Sequence, residues 1–540
     1  MTDEHFDFVI VGSGFGGSVS AFRLVEKGYR VVVLEEGRRF ADSDFPKTNW
    51  RFWDYLWLPT LRLRGFMRLT FLREAMVLHG CGVGGGSLVY ANVLMEPDPE
   101  FFEEPEWRRL ADWRSILRPH YETARRMLGV AVAPRFASAD LALREVADSY
   151  GLGSTFRAAE VGVFFGEPGL EQPDPYFGGE GPTRAGCIFC GGCMVGCRYN
   201  AKNTLVKNYL YLAEKRGAVI RSEARVTAIH ANETPSPSRR FTVEYQRAAG
   251  WRGLPLSVAA DHVVVAAGTL GTLELLLRCR DEIGSLPRLS PRLGEQVRTN
   301  SEALLGSGAR HSAVDFSEGL AISADVLVDP ITRVQPVRYP KGSSFMRLLA
   351  LPLIEGRNQP WGRRFLRVAL AILRRPLDFL NSLLGPRWAE RTTILLVMQR
   401  LENQMTLRWG PRRLPFLGNG LHAARDALRP APGEIVQAHR VVRDFARRTN
   451  GVAMGNVAET LFDMAATAHL IGGCPMGLSA ADGVVDLSCR VHNYPGLFVI
   501  DGTVLPANPG INPSLTIAAL AEYAVSQIPP RAALPARGTG

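Results

Sequence analysis

The chain lacks any run of about eighteen uncharged apolar residues, so the sequence contains no candidate for a membrane-spanning helix. Its most hydrophobic region, residues 345–388, is interrupted by arginine every few positions. The first residues, Met1 to His5, are polar and lack the basic and apolar segments of a secretory signal. We therefore expect a cytoplasmic protein, attached at most peripherally to the inner face of a membrane.

The composition also lacks the signatures of several other protein classes. Net charge is +10, from 63 Lys and Arg against 53 Asp and Glu. The basic residues are mostly arginines interleaved with Leu, Phe and Trp, and we therefore expect no nucleic-acid partner. The 54 glycines and 35 prolines follow no fixed period, which excludes collagen and solenoid architectures. With 46% hydrophobic residues, the 540-residue chain is not disordered and can form two or more domains.

The first positive signal is a dinucleotide-binding fingerprint at the N-terminus. A short apolar run leads into a glycine-rich turn, a helical stretch and a second, β-branched run. Gly12 permits the tight turn, Gly14 lets backbone amides approach a pyrophosphate, and Gly17 lets helix and strand pack closely. Glu35, 23 residues after Gly12, is placed to accept both ribose hydroxyls. The motif predicts a dinucleotide without a 2′-phosphate and leaves NAD and FAD open.

Two later segments favour FAD over NAD. Residues 263–271 form an apolar run that leads through Gly268 into a helix predicted over 272–278. Residues 496–502 form a predicted strand that ends at Asp501 and Gly502. Both resemble the strands by which FAD-containing oxidoreductases complete their cofactor site. Val226 is a further expected cofactor-binding residue.

Five further motifs follow in the sequence, namely GVGGGSLVYAN (82–92), GTLGT (268–272), HLIGGC (469–474), DGTVLP (501–506) and GINPSLT (510–516). Their order and spacing are similar to those of the glucose-methanol-choline (GMC) flavoprotein oxidoreductases, and within that family to the cholesterol oxidase-like branch. The resemblance runs from Phe6 to about Ile528 and implies an enzyme that oxidises the CH–OH group of a hydrophobic alcohol, such as a sterol or 3-hydroxysteroid, by hydride transfer to FAD.

The resemblance implies roles for particular residues. Alcohol oxidation needs a group that takes the hydroxyl proton, and His suits this at neutral pH. In the GMC pattern His469 is the active-site histidine and Asn512 its partner. Cholesterol oxidases also use a Glu from the substrate domain, for which Glu402 is a candidate by location alone. We expect FAD to be bound noncovalently, although His79 lies close to the glycine-rich loop. Three residues of that loop are expected to lie near the flavin, namely Gly84, Gly85 and Asn92.

The resemblance also predicts the fold class and the domains. We expect an α/β protein with a discontinuous Rossmann-type FAD-binding domain and an α+β substrate-binding domain. Residues 1–300, which include the cysteine-rich segment 187–197, and residues 455–530 should form the FAD-binding part. Residues 301–454 should form the substrate domain, and residues 531–540 a loose tail.

The chain has eight cysteines, and four of them lie within eleven residues. In a reducing compartment such crowding indicates a metal or cluster before disulfides. The spacing C-x2-C-x2-C-x3-C is that of a bacterial ferredoxin run, except that Arg198 stands where proline is expected. A 4Fe-4S cluster, a tetrahedral zinc site and a structural turn with reduced or disulfide-linked cysteines all remain open. The cysteines are Cys187, Cys190, Cys193 and Cys197.

An amphipathic helix is predicted over 363–375. Its arginines fall on one arc at 100° per residue, opposite a mostly apolar arc. Between Arg347 and Arg391 nine arginines face three acidic residues, a local charge of +6. Such a helix can lie in a lipid interface with its arginines at the headgroups, or it can cover the substrate domain.

Two functions therefore remain. The first is FAD-dependent oxidation of a hydrophobic small-molecule alcohol, with oxygen or another electron acceptor. The second is a membrane-surface electron-transfer flavoprotein or dehydrogenase, in which an iron-sulfur cluster passes electrons to an acceptor other than oxygen.

Overall fold

The computed structural model describes residues 4–232, 239–248, 255–310, 315–356, 359–412 and 418–531. The predicted tail, 531–540, lies outside these residues except for Arg531. The helices are α1 (Phe15–Glu26), α2 (Phe52–Tyr55), α3 (Pro105–Arg108), α4 (Trp113–Met127), α5 (Ser138–Ser149), α6 (Tyr209–Lys215), α7 (Gly268–Asp281), α8 (Trp361–Arg374), α9 (Pro376–Leu384), α10 (Trp388–Arg391), α11 (Val436–Arg448), α12 (Val457–Phe462) and α13 (Ser514–Ser526).

The strands fall into two large sheets and several small ones. They are β1 (His5–Val11), β2 (Val31–Leu34), β3 (Trp57–Leu58), β4 (Leu63–Arg64), β5 (Met67–Phe71), β6 (Ala75–Gly80), β7 (Ala131–Val132), β8 (Arg157–Ala158), β9 (Glu160–Val161), β10 (Glu171–Gln172), β11 (Arg184–Ala185), β12 (Val219–Arg221), β13 (Ala224–Ala231), β14 (Phe241–Arg247), β15 (Leu256–Val265), β16 (Glu302–Ala309), β17 (Ala324–Leu327), β18 (Thr332–Val337), β19 (Ala350–Pro352), β20 (Thr392–Gln399), β21 (Met405–Pro411), β22 (Asn419–Arg425), β23 (Gly451–Asn456), β24 (Ala465–Thr467) and β25 (Leu497–Val499).

The first large sheet is a Rossmann-type sheet. Its order is β12-β2-β1-β15-β14-β13, and β25 pairs with the C-terminal part of β15. β12, β2, β1, β15 and β25 run parallel, whereas β14 and β13 are antiparallel additions. The parallel strands β1 and β2 are buried almost throughout, which explains why they read as continuous apolar runs. The predicted β1-α1-β2 unit and the Rossmann-type fold are confirmed.

The second large sheet is antiparallel and has the order β19-β23-β16-β20-β18-β17-β8. Strand β20 lies inside this sheet and pairs with both β16 and β18. Helix α11 packs on this sheet through Val441, Val442 and Phe445, which share an apolar cluster with Leu305 and Leu395. A sheet covered by a helix on one face is the α+β arrangement that the sequence predicts.

A small sheet, β24-β6-β5, separates the two halves of the molecule. Alternate residues of a strand point to opposite faces. Val77 belongs to the apolar core of the Rossmann half. Met67, Met76 and Leu78 instead pack in a cluster that includes Trp388 of the other half. The small sheet is therefore a wall between the nucleotide side and the chamber described below.

One part of the predicted substrate segment packs with the Rossmann half. Strands β21 and β22 form an antiparallel hairpin, and Met405 and Leu407 belong to the apolar core that contains β1 and α7. This contact pairs a segment between residues 301 and 454 with the FAD-binding part. The limits of the domains stay a prediction.

Helix α8 confirms the helix predicted over 363–375, but one of its arginines is buried where the sequence pattern predicts exposure. Arg364 and Val368 are its buried residues. The sequence pattern places Arg364 on the solvent-facing arc, yet its guanidinium donates to the backbone oxygens of Gly356, Glu459 and Thr460. Eight large apolar side chains of α8 and α9 are exposed, and together we call them the α8–α9 apolar face. They are Trp361, Phe365, Leu366, Leu370, Leu373, Leu377, Leu380 and Leu384.

Within the described ranges, no helix combines the length and the apolarity that crossing a bilayer requires.

Candidate active site

A cavity of about 930 Å³ is lined by residues of both large sheets and of the small sheet between them. At one end it reaches Gly12, Gly14 and Glu35 of the first βαβ unit, and further along it reaches His469 and Asn512. The remaining part extends between the small sheet and the antiparallel sheet. The cavity therefore joins a predicted nucleotide site to a predicted catalytic site.

The glycines of the first turn differ in what they do. Gly12 has φ +94°, and a Cβ there would lie 2.4 Å from the oxygen of Ala266. A Cβ on Gly17 would lie 2.1 Å from the oxygen of Gly12, so Gly17 permits close packing and does not line the cavity. The space beside Gly14, the residue before α1, is open. The free amides at this helix N-terminus can bind a pyrophosphate.

Glu35 lies at the same end and already has protein partners. Its Oε2 accepts hydrogen bonds from Ser13 N at 3.0 Å and Ser13 Oγ at 2.7 Å. Its Oε1 accepts from Gly37 N at 2.9 Å and Gly82 N at 3.2 Å. Burial raises the pKa of the Glu35 carboxyl. The carboxylate thus ties the first turn to the glycine-rich loop, a role that Ser13 shares and that the sequence did not indicate.

Asp501 has a comparable role at the other wall. Its Oδ2 accepts from Gly268 N at 3.0 Å and Thr272 Oγ1 at 2.6 Å, and its Oδ1 accepts from Thr503 N at 2.9 Å and Thr503 Oγ1. Burial raises the pKa of this carboxyl. Because it accepts all four of these hydrogen bonds, Asp501 fixes the start of α7 against the turn at Gly502. Gly268, Gly502 and Val226 line the cavity, as does Asp501 itself.

Of the three loop residues expected near the flavin, only Gly85 lines the cavity. Gly84 donates its amide to Ser13 Oγ at 3.0 Å. Asn92 is buried with φ +72° and does not line the cavity, whereas Tyr90 and Ala91 do. The structure therefore does not bring Asn92 to the predicted cofactor site.

His469 and Asn512 meet at the middle of the cavity. His469 Nε2 lies 3.5 Å from Asn512 Nδ2. His469 Nδ1 lies 3.0 Å from Oε1 of Glu302, whose side chain is fully buried. Glu302 also accepts hydrogen bonds from Thr467 Oγ1 at 2.7 Å and Ala468 N at 3.2 Å. The contact between His469 Nδ1 and Glu302 Oε1 is at an ion-pair distance without hydrogen-bond geometry. A carboxylate on the Nδ1 side favours the tautomer that leaves the lone pair on Nε2, the atom that lies near Asn512.

Sequence reasoning missed Glu302 and offered Glu402, by location alone, only for the separate role of a base from the substrate domain. Glu402 pairs with Arg298 at 3.4 Å and does not line the cavity. Glu302 is the first residue of β16, 167 positions before His469, and no local motif surrounds it. An acidic residue that opens an otherwise apolar strand is the one signal that could have drawn attention to it.

The part of the cavity between the two sheets is an uncharged chamber. The charged residues that line the cavity lie on the Rossmann side, for example Glu36, Arg68 and Arg225, and on the β21–β22 hairpin. The chamber is instead lined by aromatic, aliphatic and methionine side chains, including Trp57, Leu69, Leu78, Met194, Leu304, Tyr339, Met346, Trp388, Ile394 and Met454. Such a lining suits a large hydrophobic ligand.

The four clustered cysteines do not form a metal site in the part of the chain that the structure describes. No group of three or more His, Cys, Asp or Glu side chains there could hold a metal ion. All four thiols are free, so of the three interpretations the structural turn with reduced cysteines is the one that fits. Burial raises the pKa of Cys190 to about 11. Lys202 Nζ donates to the oxygens of Cys193 at 2.7 Å and Leu88 at 2.9 Å, which ties this turn to the glycine-rich loop.

Comparison with known families agrees with the geometry. Residues 183–291 and 400–521 match the GMC oxidoreductase family, in its N- and C-terminal parts. Residues 10–43 match the NAD(P)-binding Rossmann-like domain. A crystal structure of pyridoxine 4-oxidase from Mesorbium loti superposes with a TM-score of 0.60 over 97% of this chain and 99% of the other. At 18% identity, that likeness concerns the fold.

Curated relatives extend over nearly the whole chain. A cholesterol oxidase of Mycobacterium tuberculosis is 44% identical and covers 97% of this chain and 91% of its own length. A cholesterol oxidase of Acinetobacter baumannii is 40% identical and covers 98% of this chain and 95% of its own length. With the Rossmann-type site, the Glu302–His469–Asn512 constellation and these matches together, the chain belongs to the GMC oxidoreductase family and is an FAD-dependent alcohol oxidoreductase.

Proposed function

We propose that this enzyme oxidises the hydroxyl group of a sterol or 3-hydroxysteroid to a ketone and passes the electrons to molecular oxygen. The observation that carries the proposal is that an uncharged chamber ends at the paired side chains His469 and Asn512. The two relatives called cholesterol oxidase support the substrate class. The overall reaction converts the secondary alcohol and molecular oxygen into the ketone and hydrogen peroxide, so two electrons and two protons leave the alcohol.

The residues of the nucleotide end fit FAD. The open space at Gly14, the free amides of α1 and the acidic Glu35 suit a pyrophosphate and a ribose, and the cavity continues from there past Gly85 and Tyr90 to His469. Bound there, FAD supplies the acceptor for the hydride of the carbinol carbon. The protein contributes the position of that carbon and the fate of the hydroxyl proton.

The proton step follows from the contacts of His469. Glu302 lies 3.0 Å from Nδ1, so Nε2 is the nitrogen that can accept the hydroxyl proton. Asn512 Oδ1 is buried and has no protein partner in the described part of the chain, so it is available to the substrate or the cofactor. Once Nε2 is protonated, the carboxylate of Glu302 stabilises the resulting imidazolium. A positioned base of this kind contributes about 10²–10⁴-fold to the rate.

The length of the chamber supports a substrate of steroid size. Strand β20 lines the chamber as far as Thr392, and Thr392 pairs with Gly308, which lies six residues along β16 from Glu302, beside His469. At about 3.3 Å per residue this span is about 20 Å. A fused tetracyclic ring system with a short side chain has a similar length, whereas a small alcohol would leave most of the chamber empty.

We further propose that the α8–α9 apolar face contacts a membrane surface. An amphipathic helix normally buries its apolar side, but here Phe365, Leu366 and Leu373 are exposed. Arg363, Arg367 and Arg374 of the same helix are also exposed and can meet anionic headgroups. The chamber is lined by Leu58, itself exposed, and by Met346 and Leu349 of the segment that precedes α8. A substrate drawn from a bilayer would enter at this side.

The test of the function is anaerobic reduction of the bound flavin. A 3-hydroxysteroid should bleach the flavin absorbance in stoichiometric amount, and the same ring system without the hydroxyl group should not. Admission of oxygen should restore the absorbance and release one equivalent of hydrogen peroxide. If no 3-hydroxysteroid reduces the flavin but a linear long-chain alcohol does, the substrate class is wrong. If reduced flavin is reoxidised by a quinone and not by oxygen, the acceptor is wrong.

A further inference from the structure

Two tryptophans that line the chamber, Trp57 and Trp388, each have a buried indole N–H without a hydrogen-bond partner among the described residues, and the chemistry described above uses neither. Trp388, the first residue of α10, lines the chamber and is 5% exposed. Its indole Nε1 is buried, and no acceptor for it exists among the described residues. An indole N–H is a donor only, and a buried one normally finds an acceptor because losing its hydrogen bond to water is costly.

Two further buried tryptophans without an acceptor lie outside the chamber. Trp107 and Trp113 also lack a conventional partner, but their rings pack edge-to-face with centroids 4.8 Å apart, so each indole has an aromatic neighbour. Neither lines the cavity. Trp388 makes no ring contact of that kind within the described ranges, and the apolar cluster that it shares with Met67, Met76 and Leu78 offers no strong acceptor. The polar residues Asp378, Asn381 and Ser382 border a small second cavity on its other side, and none of them bonds to the indole. Among these buried tryptophans, an unpaired indole N–H and a place in the chamber lining occur together at Trp57 and Trp388.

Trp388 lies at the end of the chamber that is remote from the catalytic residues. It precedes Thr392 by four residues, and Thr392 pairs with Gly308 near the end of β16. Glu302, which contacts His469, begins the same strand, so the two ends are separated by about 20 Å. Trp388 also borders a second cavity of about 10 Å³, which holds one water molecule at most. An acceptor larger than water must reach the indole from the chamber.

We propose that the indole N–H of Trp388 recognises a hydrogen-bond acceptor oxygen, a carbonyl or hydroxyl, at the end of the substrate opposite the oxidised alcohol. The inference rests on the proposed function and narrows its substrate class. It distinguishes steroid alcohols that carry a second oxygen at the far end of the ring system from sterols whose far end is a hydrocarbon tail. The first class pairs the free donor, and the second leaves it without a partner.

The experiment measures binding to the FAD-loaded enzyme and needs no turnover. Two 3-ketosteroids are titrated, one with a carbonyl at the far end and one with hydrogen in its place, and the change in flavin absorbance reports each Kd. Wild type should bind the oxygenated ligand about fivefold to tenfold more tightly, the range for one hydrogen bond. Trp388→Phe removes the N–H but keeps an aromatic ring, and it should abolish the preference while leaving the Kd of the other ligand unchanged within about twofold.

Trp57→Phe is the matched control, since Trp57 also lines the chamber and its buried Nε1 likewise has no acceptor among the described residues. It should retain the wild-type preference. The inference is overturned if wild type shows no preference, if Trp388→Phe weakens both ligands equally, or if Trp57→Phe rather than Trp388→Phe removes the preference. The comparison of the two ligands on the wild-type enzyme tests the inference even if a variant fails to fold. Failure of the proposed function would appear separately, as an alcohol that binds but does not reduce the flavin.

Discussion

In the proposed mechanism, His469 accepts the hydroxyl proton and Glu302 orients His469. His469 faces the chamber with Nε2, and Glu302 contacts the opposite nitrogen at 3.0 Å while two further donors hold its carboxylate in place. The histidine needs this support because a neutral imidazole can carry its proton on either nitrogen, and only one arrangement leaves Nε2 free. Orientation and tautomer are therefore set by a residue that does not touch the substrate.

We expect Glu302→Gln to retain FAD and fold normally but to slow anaerobic flavin reduction by roughly 10- to 100-fold, the cost typical of losing a carboxylate behind a functional histidine. Glu302→Asp should recover part of the rate. Glu402→Gln is the control, because Glu402 is the candidate from sequence but lies outside the cavity. Rapid-mixing measurements of flavin absorbance give the rates. Equal effects of the two Gln variants would refute the positioning role of Glu302.

Lys202 provides a prediction about stability. Burial lowers the pKa of Lys202 to about 7, against the opposing influence of Cys193 and Cys197. An unfolded lysine has a pKa of about 10.4. Between these values the unfolded chain binds more protons than the native one, so this residue makes the free energy of unfolding rise with pH. Below about pH 7 the native state bears the full cost of a buried charge.

Lys202→Met should therefore remove this pH dependence. The wild type should gain stability relative to the variant between about pH 7 and about pH 9.5, by about 1.4 kcal/mol for each pH unit at most. Urea unfolding at several pH values measures the difference. Lys215→Met, at an exposed lysine of α6, should follow the wild-type curve. Parallel curves for wild type and Lys202→Met would contradict the account.

At the scale of elements, the sequence predicted the features that depend on neighbouring residues and missed the contacts between distant segments. The apolar runs of β1 and β2 and the amphipathic period of α8 were visible in the sequence because each depends on near neighbours. The burial of Arg364 was not, since its partners are the carbonyl oxygens of Gly356, Glu459 and Thr460. Nor was Glu302, which meets His469 only because β16 and β24 lie side by side.

The α8–α9 apolar face makes the clearest prediction at this scale. Phe365→Ser with Leu373→Ser should weaken binding to anionic vesicles by roughly tenfold or more, because each exposed side chain loses about 1–2 kcal/mol of apolar burial. Activity on a detergent-dispersed substrate should stay the same. Vesicle co-sedimentation at low and high salt measures the binding.

The matched control is Leu478→Ser. Leu478 is 75% exposed and Leu373 is 74% exposed, but Leu478 lies in the loop whose Ala480 oxygen contacts Ser290 of the Rossmann half. Arg363→Gln with Arg374→Gln should weaken binding in a salt-dependent way, at about 1 kcal/mol per arginine. Arg364→Gln should instead lower the free energy of unfolding, because it removes buried hydrogen bonds to backbone oxygens. If the wild-type protein does not bind anionic vesicles at low salt, the α8–α9 apolar face has another partner.

At the scale of the whole molecule, the cavity is built from segments far apart in the chain. The first βαβ unit, the glycine-rich loop, β16 and the residues around His469 and Asn512 all line it or support it. In the proposed function the nucleotide binds near Gly12 and Glu35 and the alcohol binds near His469, so we expect that substitutions can alter the two ends of this assembly independently.

FAD should be held by this assembly without a covalent bond. His79 lines the cavity, but its Nε2 lies 3.0 Å from Thr70 Oγ1, and burial lowers its pKa to about 3. Acid precipitation should release all flavin into the supernatant, and removal of FAD should lower the Tm because a ligand that binds only the native state stabilises it. Yellow colour that remains with the denatured protein would show that the link is covalent.

The most direct test of the account is anaerobic stopped-flow reduction of His469→Ala by a 3-hydroxysteroid. The variant should bind FAD as the wild type does, because the nucleotide contacts are distant, but its flavin should be reduced about 10²–10⁴-fold more slowly, the range for loss of a positioned base. Asn512→Ala should lose less, and the double variant should be less than additive since both side chains meet one oxygen. Reduction of His469→Ala at the wild-type rate across several alcohols would contradict the assignment of the active site.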